Sequence, residues 1–222
     1  MATTARVPGI LIAFEGIDGA GKSTQAALVA DRLADTKTRA LLVREPGATP
    51  VAEAVRRLLL ERGKNAPGRE AEMFLYLAAR ADLYRRVILP ALDRGRFVLS
   101  DRCFWSTVAY QGRGLGLGVA KARALSLIAT GGREPDLVVL LDLAPEEAAA
   151  RRRGKADRIE ARGSRYLAEV RAEFLALARR ARGKAMVVNA HLPADTICLK
   201  ILARLRALMR RRRRATPRRS PA

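Results

Sequence analysis

Ile10-Leu-Ile-Ala-Phe-Glu-Gly-Ile-Asp-Gly-Ala-Gly-Lys-Ser-Thr24 decides the fold. Ile10 to Phe14 is a continuous apolar run without polar alternation, the pattern of a strand buried on both faces of a parallel sheet. Helical periodicity follows from Ser23 to Leu33. Between the two, Gly16 to Ser23 matches G-x-x-x-x-G-K-[ST] at every position. Glycines let backbone N–H groups turn inward around phosphate oxygens without a Cβ in the way. Lys22 can reach the β- and γ-phosphates, and the Ser23 hydroxyl can ligate Mg²⁺. The helix offers its positive N-terminus to the same anion. A glycine turn matching by chance would lack the strand before it and the helix after it. The expected nucleotide cradle is therefore Gly16, Ile17, Asp18, Gly19, Ala20, Gly21, Lys22, Ser23 and Thr24.

Four more apolar strands read outward from this one: Arg39–Val43, Phe97–Leu99, Leu137–Leu141 and Met186–Val188. Helical patterns separate them: Val51–Leu60, Glu70–Leu89 with Pro90 near its end, Ser106–Tyr110, Ala120–Ala129, Pro145 to about Arg153, Ser164–Arg180, and Ala194 to about Arg210. Gly112–Gly118 reads as a loop. Strands alternating with helices predict an α/β fold of the P-loop NTPase kind, a five-stranded parallel sheet flanked by helices. Ligands bind at the carboxyl ends of such strands. Asp101 ends the third strand, where a carboxylate joins Ser23 as a second candidate Mg²⁺ ligand.

Composition narrows the class. The chain has 222 residues, 49% hydrophobic and 29% charged, enough for one folded domain and too apolar for global disorder. Two cysteines make no disulfide framework, and no run approaches the ~20 apolar residues of a membrane span. With no secretory pattern at the start, a cytoplasmic location is expected. Net charge is +21. Residues 200–222 carry ten basic groups and no acid, including Arg210 to Arg214. We read 1–209 as one P-loop domain and 210–222 as a basic tail. The tail has no aromatic to stack on bases, so a solvated tail is favoured over a nucleic-acid-binding one.

Several further segments occur in a characteristic order: Arg44-Glu-Pro-Gly47, Ala78-Ala-Arg80, Asp101-Arg102, Ala109-Tyr-Gln-Gly112, Pro135-Asp-Leu137 and Asp157-Arg-Ile-Glu160. Together with the phosphate loop they resemble the bacterial type of thymidylate kinase, from Ile10 to about Ala190. The resemblance implies transfer of the ATP γ-phosphoryl group to dTMP with Mg²⁺, and a homodimer. It assigns Arg44 and Arg102 to the acceptor phosphate, where a planar guanidinium grips bidentately. It assigns Arg80 to the thymine carbonyl, Tyr76 to stacking on the base, Asp18 to the sugar 3′-hydroxyl, and Tyr110 to the deoxyribose. Gln111 is a further acceptor-site candidate. Phe74 is expected in the core, Cys103 in a packing role, and His191 in a loop. Gly19 stands where some members carry a catalytic arginine. The segment 151–163 resembles the family's mobile lid, and Arg153 and Arg158 are the arginines expected to supply transition-state charge beside Lys22 and Arg102. Two other readings stay open: a kinase for another deoxynucleoside monophosphate, and a nucleic-acid-associated P-loop ATPase. Ala48, in place of a frequent second glycine, and Cys103, in place of a frequent aromatic, depart from the family pattern.

Overall fold

The structure is a computed structural model that describes residues 9–34, 40–61, 66–151, 158–181 and 183–215. Five strands form one parallel sheet: β1 (Ile10–Glu15), β2 (Ala40–Arg44), β3 (Phe97–Asp101), β4 (Leu137–Asp142) and β5 (Ala185–Asn189). Their order is β2-β3-β1-β4-β5, so β1 lies at the centre. It pairs with β3 on one side and β4 on the other. All six of its side chains are buried, which is why its sequence shows no polar alternation. The edge strands β2 and β5 each keep exposed positions.

The chain order reverses across β1. Neighbouring β1 and β3 end in Glu15 and Asp101, and the loops leaving them open a crevice at the carboxyl edge. Helix α1 (Lys22–Ala34) leaves the first loop and packs against α9 (Ala194–Ala215). Helices α2 (Pro50–Leu60) and α3 (Arg69–Leu83) pack on each other beyond β2. Thr49 caps α2 by accepting from Ala52 N, with Pro50 in the first turn.

Three helical readings change. The helix expected over Glu70–Leu89 is α3, then a π-helical stretch Tyr84–Ile88, then α4 (Leu89–Asp93). Pro90 has no N–H and its ring would crowd the carbonyl four residues back, and the widened turn before it accommodates both. Next, α5 (Phe104–Thr107) continues as a π-helical stretch Val108–Gly114, so the first three residues of the expected 112–118 loop are helical. A Cβ at Gly114 would lie 2.5 Å from the Tyr166 ring, so that ring packs directly on backbone.

Helix α6 (Val119–Ala129) follows, then α7 (Pro145–Arg151) after β4, a 3₁₀ turn Glu160–Arg162, and α8 (Ser164–Arg180). The last change concerns α9, which runs past Arg210 to Ala215. Leu202, Leu205, Leu208 and Met209 keep its apolar stripe on the core. Arg212 then donates to the Gly9 carbonyl and to Asp136, which itself accepts from Leu11 N at the start of β1. The end of α9 is thus pinned to the foot of the central strand. The rest of the expected tail, 216–222, lies outside the described residues, as do 152–157 of the expected lid.

Candidate active site

The turn from β1 into α1 is built for an anion. Gly16 and Gly19 have φ of +134° and +85°. A Cβ at Gly16 would strike the Leu141 carbonyl, and one at Gly19 would lie 2.6 Å from the Ala148 carbonyl. No arginine fits at position 19 unless the backbone moves. Lys22 is buried, its Nζ 2.9 Å from the Ile17 carbonyl and 3.5 Å from Asp18. Burial and the charge of Arg102 pull its pKa down, and Asp18 and Asp101 oppose them.

Ser23 Oγ lies 2.5 Å from Asp101 Oδ2, across 78 residues of sequence. Asp101 Oδ1 is buried without a hydrogen-bond partner. A hydroxyl beside a carboxylate with a spare buried oxygen suits a hard divalent cation, so the pair fits Mg²⁺.

Arg102 follows directly, with φ +77°, the left-handed region that costs a non-glycine residue strain. That turn folds its guanidinium back over the phosphate loop. It pairs with Asp18, and it donates to the Gly16 carbonyl (3.3 Å) and Ser106 Oγ (3.0 Å). The Tyr110 ring lies under it at 5.3 Å, with the Tyr110 hydroxyl 3.3 Å from Asp18. Burial works against the Asp18 carboxylate, yet Arg102 and Lys22 hold its pKa well below the ordinary range.

Two clefts meet at this point. One is lined by Asp18, Gly19, Gly21, Lys22, Ser23 and Thr24 of the glycine-rich turn together with Arg44 and Asp101. The other is lined by Pro46, Leu60, Tyr76, Ser106, Thr107, Tyr110, Gln111 and Ile159. Asp18, Glu45, Arg56 and Arg102 belong to both. The first is lined almost wholly by polar and charged side chains and glycines. The second has two tyrosines, with Tyr110 braced edge-on by Tyr166 and Phe174.

Most of the sequence-derived residues line a cleft, while Gly16, Ile17 and Ala20 shape the same turn without lining either one. Gly19, Gly21, Lys22, Ser23, Thr24, Asp101, Arg102, Asp18, Tyr76, Tyr110, Gln111 and Arg44 all line one cleft or both. Arg44 is exposed and doubly bonded to Glu53 at 2.9 and 3.0 Å. Arg80 stands behind the second cleft. It is buried, and its donors go to Glu45 (2.5 Å), Thr107 Oγ1 (2.8 Å) and the Cys103 carbonyl (3.1 Å). Here it reaches the cleft wall through Glu45 and Thr107. Arg158 donates to the Leu59 carbonyl at 2.9 Å and to Glu72 at 2.7 Å, on the side of the second cleft. Arg153 lies outside the described residues. Phe74, expected in the core, is exposed: Met73, Leu77 and Arg80 carry the buried stripe of α3 and position 74 falls beside it. Cys103 is buried as expected, and His191 sits in the turn after β5, 2.9 Å from Glu147.

Four residues escaped the sequence reading. Glu15 is buried at the end of β1 and accepts from Cys103 N, Ser106 N and Ser106 Oγ, fastening the Arg102 turn to the central strand. Burial raises its pKa against these bonds and Arg102. Glu45 pairs with Arg80. Glu72 collects Gln111, Arg158 and Arg162. Arg56 lines both clefts from α2, with Nη1 on the Pro46 carbonyl at 3.0 Å. The carboxylates did carry a signal: an acid inside an apolar strand or stripe needs a buried partner.

Comparison with known proteins gives a consistent answer. Residues 14–201 match the family described as Thymidylate kinase. The thymidylate kinase of Desulforudis audaxviator is 45% identical over 206 residues, covering 92% of this chain and 93% of that protein. That of Dinoroseobacter shibae is 43% identical over 201 residues (89% and 97%), and that of Leifsonia xyli 44% over 209 (92% and 98%).

Proposed function

The chain belongs to the thymidylate kinase family, and on that premise we propose that it transfers the γ-phosphoryl group of ATP to dTMP, giving dTDP and ADP for nucleotide biosynthesis. One observation carries the reading: a phosphate-loop cleft and an aromatic, amide-lined cleft share Asp18, Arg56 and Arg102. Two polyanions can meet there only against cations, and these arginines and Lys22 supply them.

The donor lies in Gly16–Thr24, with Lys22 at the β- and γ-phosphates. Ser23 and Asp101 would hold Mg²⁺, which when bound neutralises charge on the donor phosphates. The acceptor phosphate lies against Arg102, Arg44 and Arg56. Phosphoryl transfer has a loose transition state, so positioning and charge do most of the work. Arg102, fixed by Asp18 and by its strained turn, loses little freedom when it grips phosphate. Asp18 and Tyr110, already bonded to each other, meet the sugar, and the Tyr110 ring fills the space a 2′-hydroxyl would need. Tyr76 stacks on the base, and Arg80 backs the base pocket through Thr107 and Glu45. Gly19 cannot host an arginine in this backbone, so we assign transition-state charge to Arg153 and Arg158 of the lid segment; Arg158 would have to exchange its bonds to Glu72 and the Leu59 carbonyl for the phosphoryl group. An arginine in that role is worth ~10³–10⁵ in rate.

Among the described residues no helix is long and apolar enough to cross a membrane. Two free buried cysteines suit a reducing, cytoplasmic setting. Exposed Leu58, Phe74 and Ile128 lie on α2, α3 and α6, helices packed side by side, and support a homodimer through that layer.

The deciding experiment follows ADP formation with dTMP, dUMP, dCMP, UMP or DNA added in turn. Preference for dTMP is expected. Preference for another monophosphate, or stimulation by DNA alone, would overturn the reading. Single-turnover rates of an Arg153→Ala, Arg158→Ala double variant test the lid assignment, which fails at a wild-type rate.

A further inference from the structure

Two polar side chains of the acceptor cleft are held from behind by buried charges. Gln111 lines the cleft and its Nε2 donates to Glu72 Oε1 at 2.8 Å. Thr107 lines it one helical turn earlier, and its Oγ1 accepts from Arg80 Nη1 at 2.8 Å. Glu72 and Arg80 are 0% and 2% exposed and do not line the cleft themselves.

The chemistry of the holders decides what the held groups can offer. An ionised carboxylate only accepts hydrogen bonds. Glu72 receives N–H groups from Gln111, Arg158 and Arg162 on its two oxygens. Burial disfavours its charge, but these donors keep its pKa below the ordinary carboxylate range. An amide facing such a group must present its NH₂, and its carbonyl is left for the other side. A guanidinium only donates, so the Thr107 hydroxyl facing Arg80 must accept and keeps its own O–H for another partner.

The cleft therefore offers an acceptor at Gln111 and a donor at Thr107, four residues apart on one helical face. Thymine presents the complement on one edge, a ring N3–H beside the C4 carbonyl. Cytosine reverses both: its N3 is an acceptor and an amino group replaces the carbonyl.

We propose that Glu72 is a positioning residue for acceptor choice, fixing the Gln111 amide so that its carbonyl faces the base and the cleft demands a ring N–H. The proposal rests on the reading of this cleft as the dTMP site. A site built around a hydrogen bond rejects a ligand that leaves its buried polar group unpaired, far more strongly than an apolar pocket rejects a change of size.

Glu72→Gln tests it. The new amide can donate as well as accept, so Gln111 is free to turn round. The readout is the ratio of kcat/KM for dTMP to that for dCMP, with the KM for ATP and the Tm beside it. Wild-type turnover tests the underlying reading separately: a wild type that prefers another monophosphate sinks that reading whatever Glu72 does. Given dTMP turnover, Glu72→Gln is expected to lower the ratio at least about tenfold with the KM for ATP unchanged. Glu72→Asp keeps an acceptor-only group and is expected to stay within about threefold of the wild-type ratio, even with a lower Tm. Should Glu72→Gln not fold, Gln111→Met decides, since it removes the carbonyl and leaves Glu72 with both arginines; it too should lose about tenfold. An unchanged ratio in the folded variants overturns the proposal, and Glu72 then only holds the structure. A collapse in Glu72→Asp as large as in Glu72→Gln overturns it as well, because acceptor-only chemistry would not be the cause.

Discussion

The clefts proposed for donor and acceptor share Arg102 and Asp18 but are built in opposite ways. The cradle proposed for the donor is centred on one uninterrupted stretch, Gly16–Thr24, which Asp101 meets at Ser23 and which Arg44, Glu45, Arg56 and Arg102 flank from farther along the chain. Its working groups are backbone amides and one lysine, and its shape follows from glycine φ angles. The other cleft is assembled from the turn after β2, α2, α3, the turn after β3, α5 with the π-helical stretch that continues it, and the turn before α8, with Asp18 from the glycine-rich turn. Its wall groups are oriented by buried charges behind them: Arg80 with Glu45, and Glu72 with Arg158 and Arg162. Local backbone geometry is enough for the proposed grip on phosphate, which every nucleotide carries. Selecting among nucleotides takes side chains with fixed donor and acceptor directions, and such directions need a second layer of tertiary contacts.

The comparison predicts different kinds of damage. Lys22→Ala should hit function alone. Losing one preorganised charge in a closed phosphate site costs about 10²–10³ in kcat. The fold should survive, since Lys22 bonds only to its own loop. Steady-state kinetics with a melting curve check both halves, and a rate near wild type would remove Lys22 from the donor site.

Arg80→Ala should hit function and fold together. It leaves Glu45 buried without its partner, a loss of about 3–5 kcal/mol, or a Tm lower by roughly 6–20 °C for a chain of this size. It also frees the Thr107 hydroxyl, so use of dTMP should suffer more than binding of ATP. The Arg80→Ala, Glu45→Ala double variant should be less destabilised than the sum of the singles. Strict additivity, measured by thermal or urea unfolding, would show that the buried pair is not coupled.

The smallest effect is expected farthest from both clefts. Ending the chain after Met209 removes Arg212 from Asp136 and Gly9. Asp136 keeps Arg133 and Leu11 N when Arg212 is gone, so its carboxylate is not left unpaired; stability should fall only modestly, by about 1 kcal/mol, and kcat should hold. A large loss of kcat in the truncated chain would mean that the foot of β1 communicates with the phosphate loop at its head.

Legibility in the sequence divides along the same line. All five strands lie within a few residues of their expected places, because each is a short apolar run bounded by turn signals. The phosphate loop was legible because spacing along the chain is itself the geometry there. Helix interiors were less so. The π-helical stretches at Tyr84–Ile88 and Val108–Gly114 leave the 3.6-residue apolar pattern nearly intact while changing the hydrogen-bond register. Phe74 was misplaced because one position's shift around α3 moves a side chain by about 100°.

By itself the sequence determined a parallel α/β sheet and the glycine-rich turn at Gly16–Thr24 that we propose as the nucleotide cradle, together with the residue types proposed to surround an acceptor. Each follows from local periodicity or from a contiguous motif, where neighbours in sequence are neighbours in space. Only the tertiary structure decided that Arg80 stands behind Thr107 and Glu45, that Arg56 belongs to both clefts, and that Glu72 gathers Gln111, Arg158 and Arg162. The physical reason is desolvation. A buried carboxylate or guanidinium must find its opposite, and in these pairs the partners are 35 to 90 residues apart, brought together only by the packing of helices on the sheet.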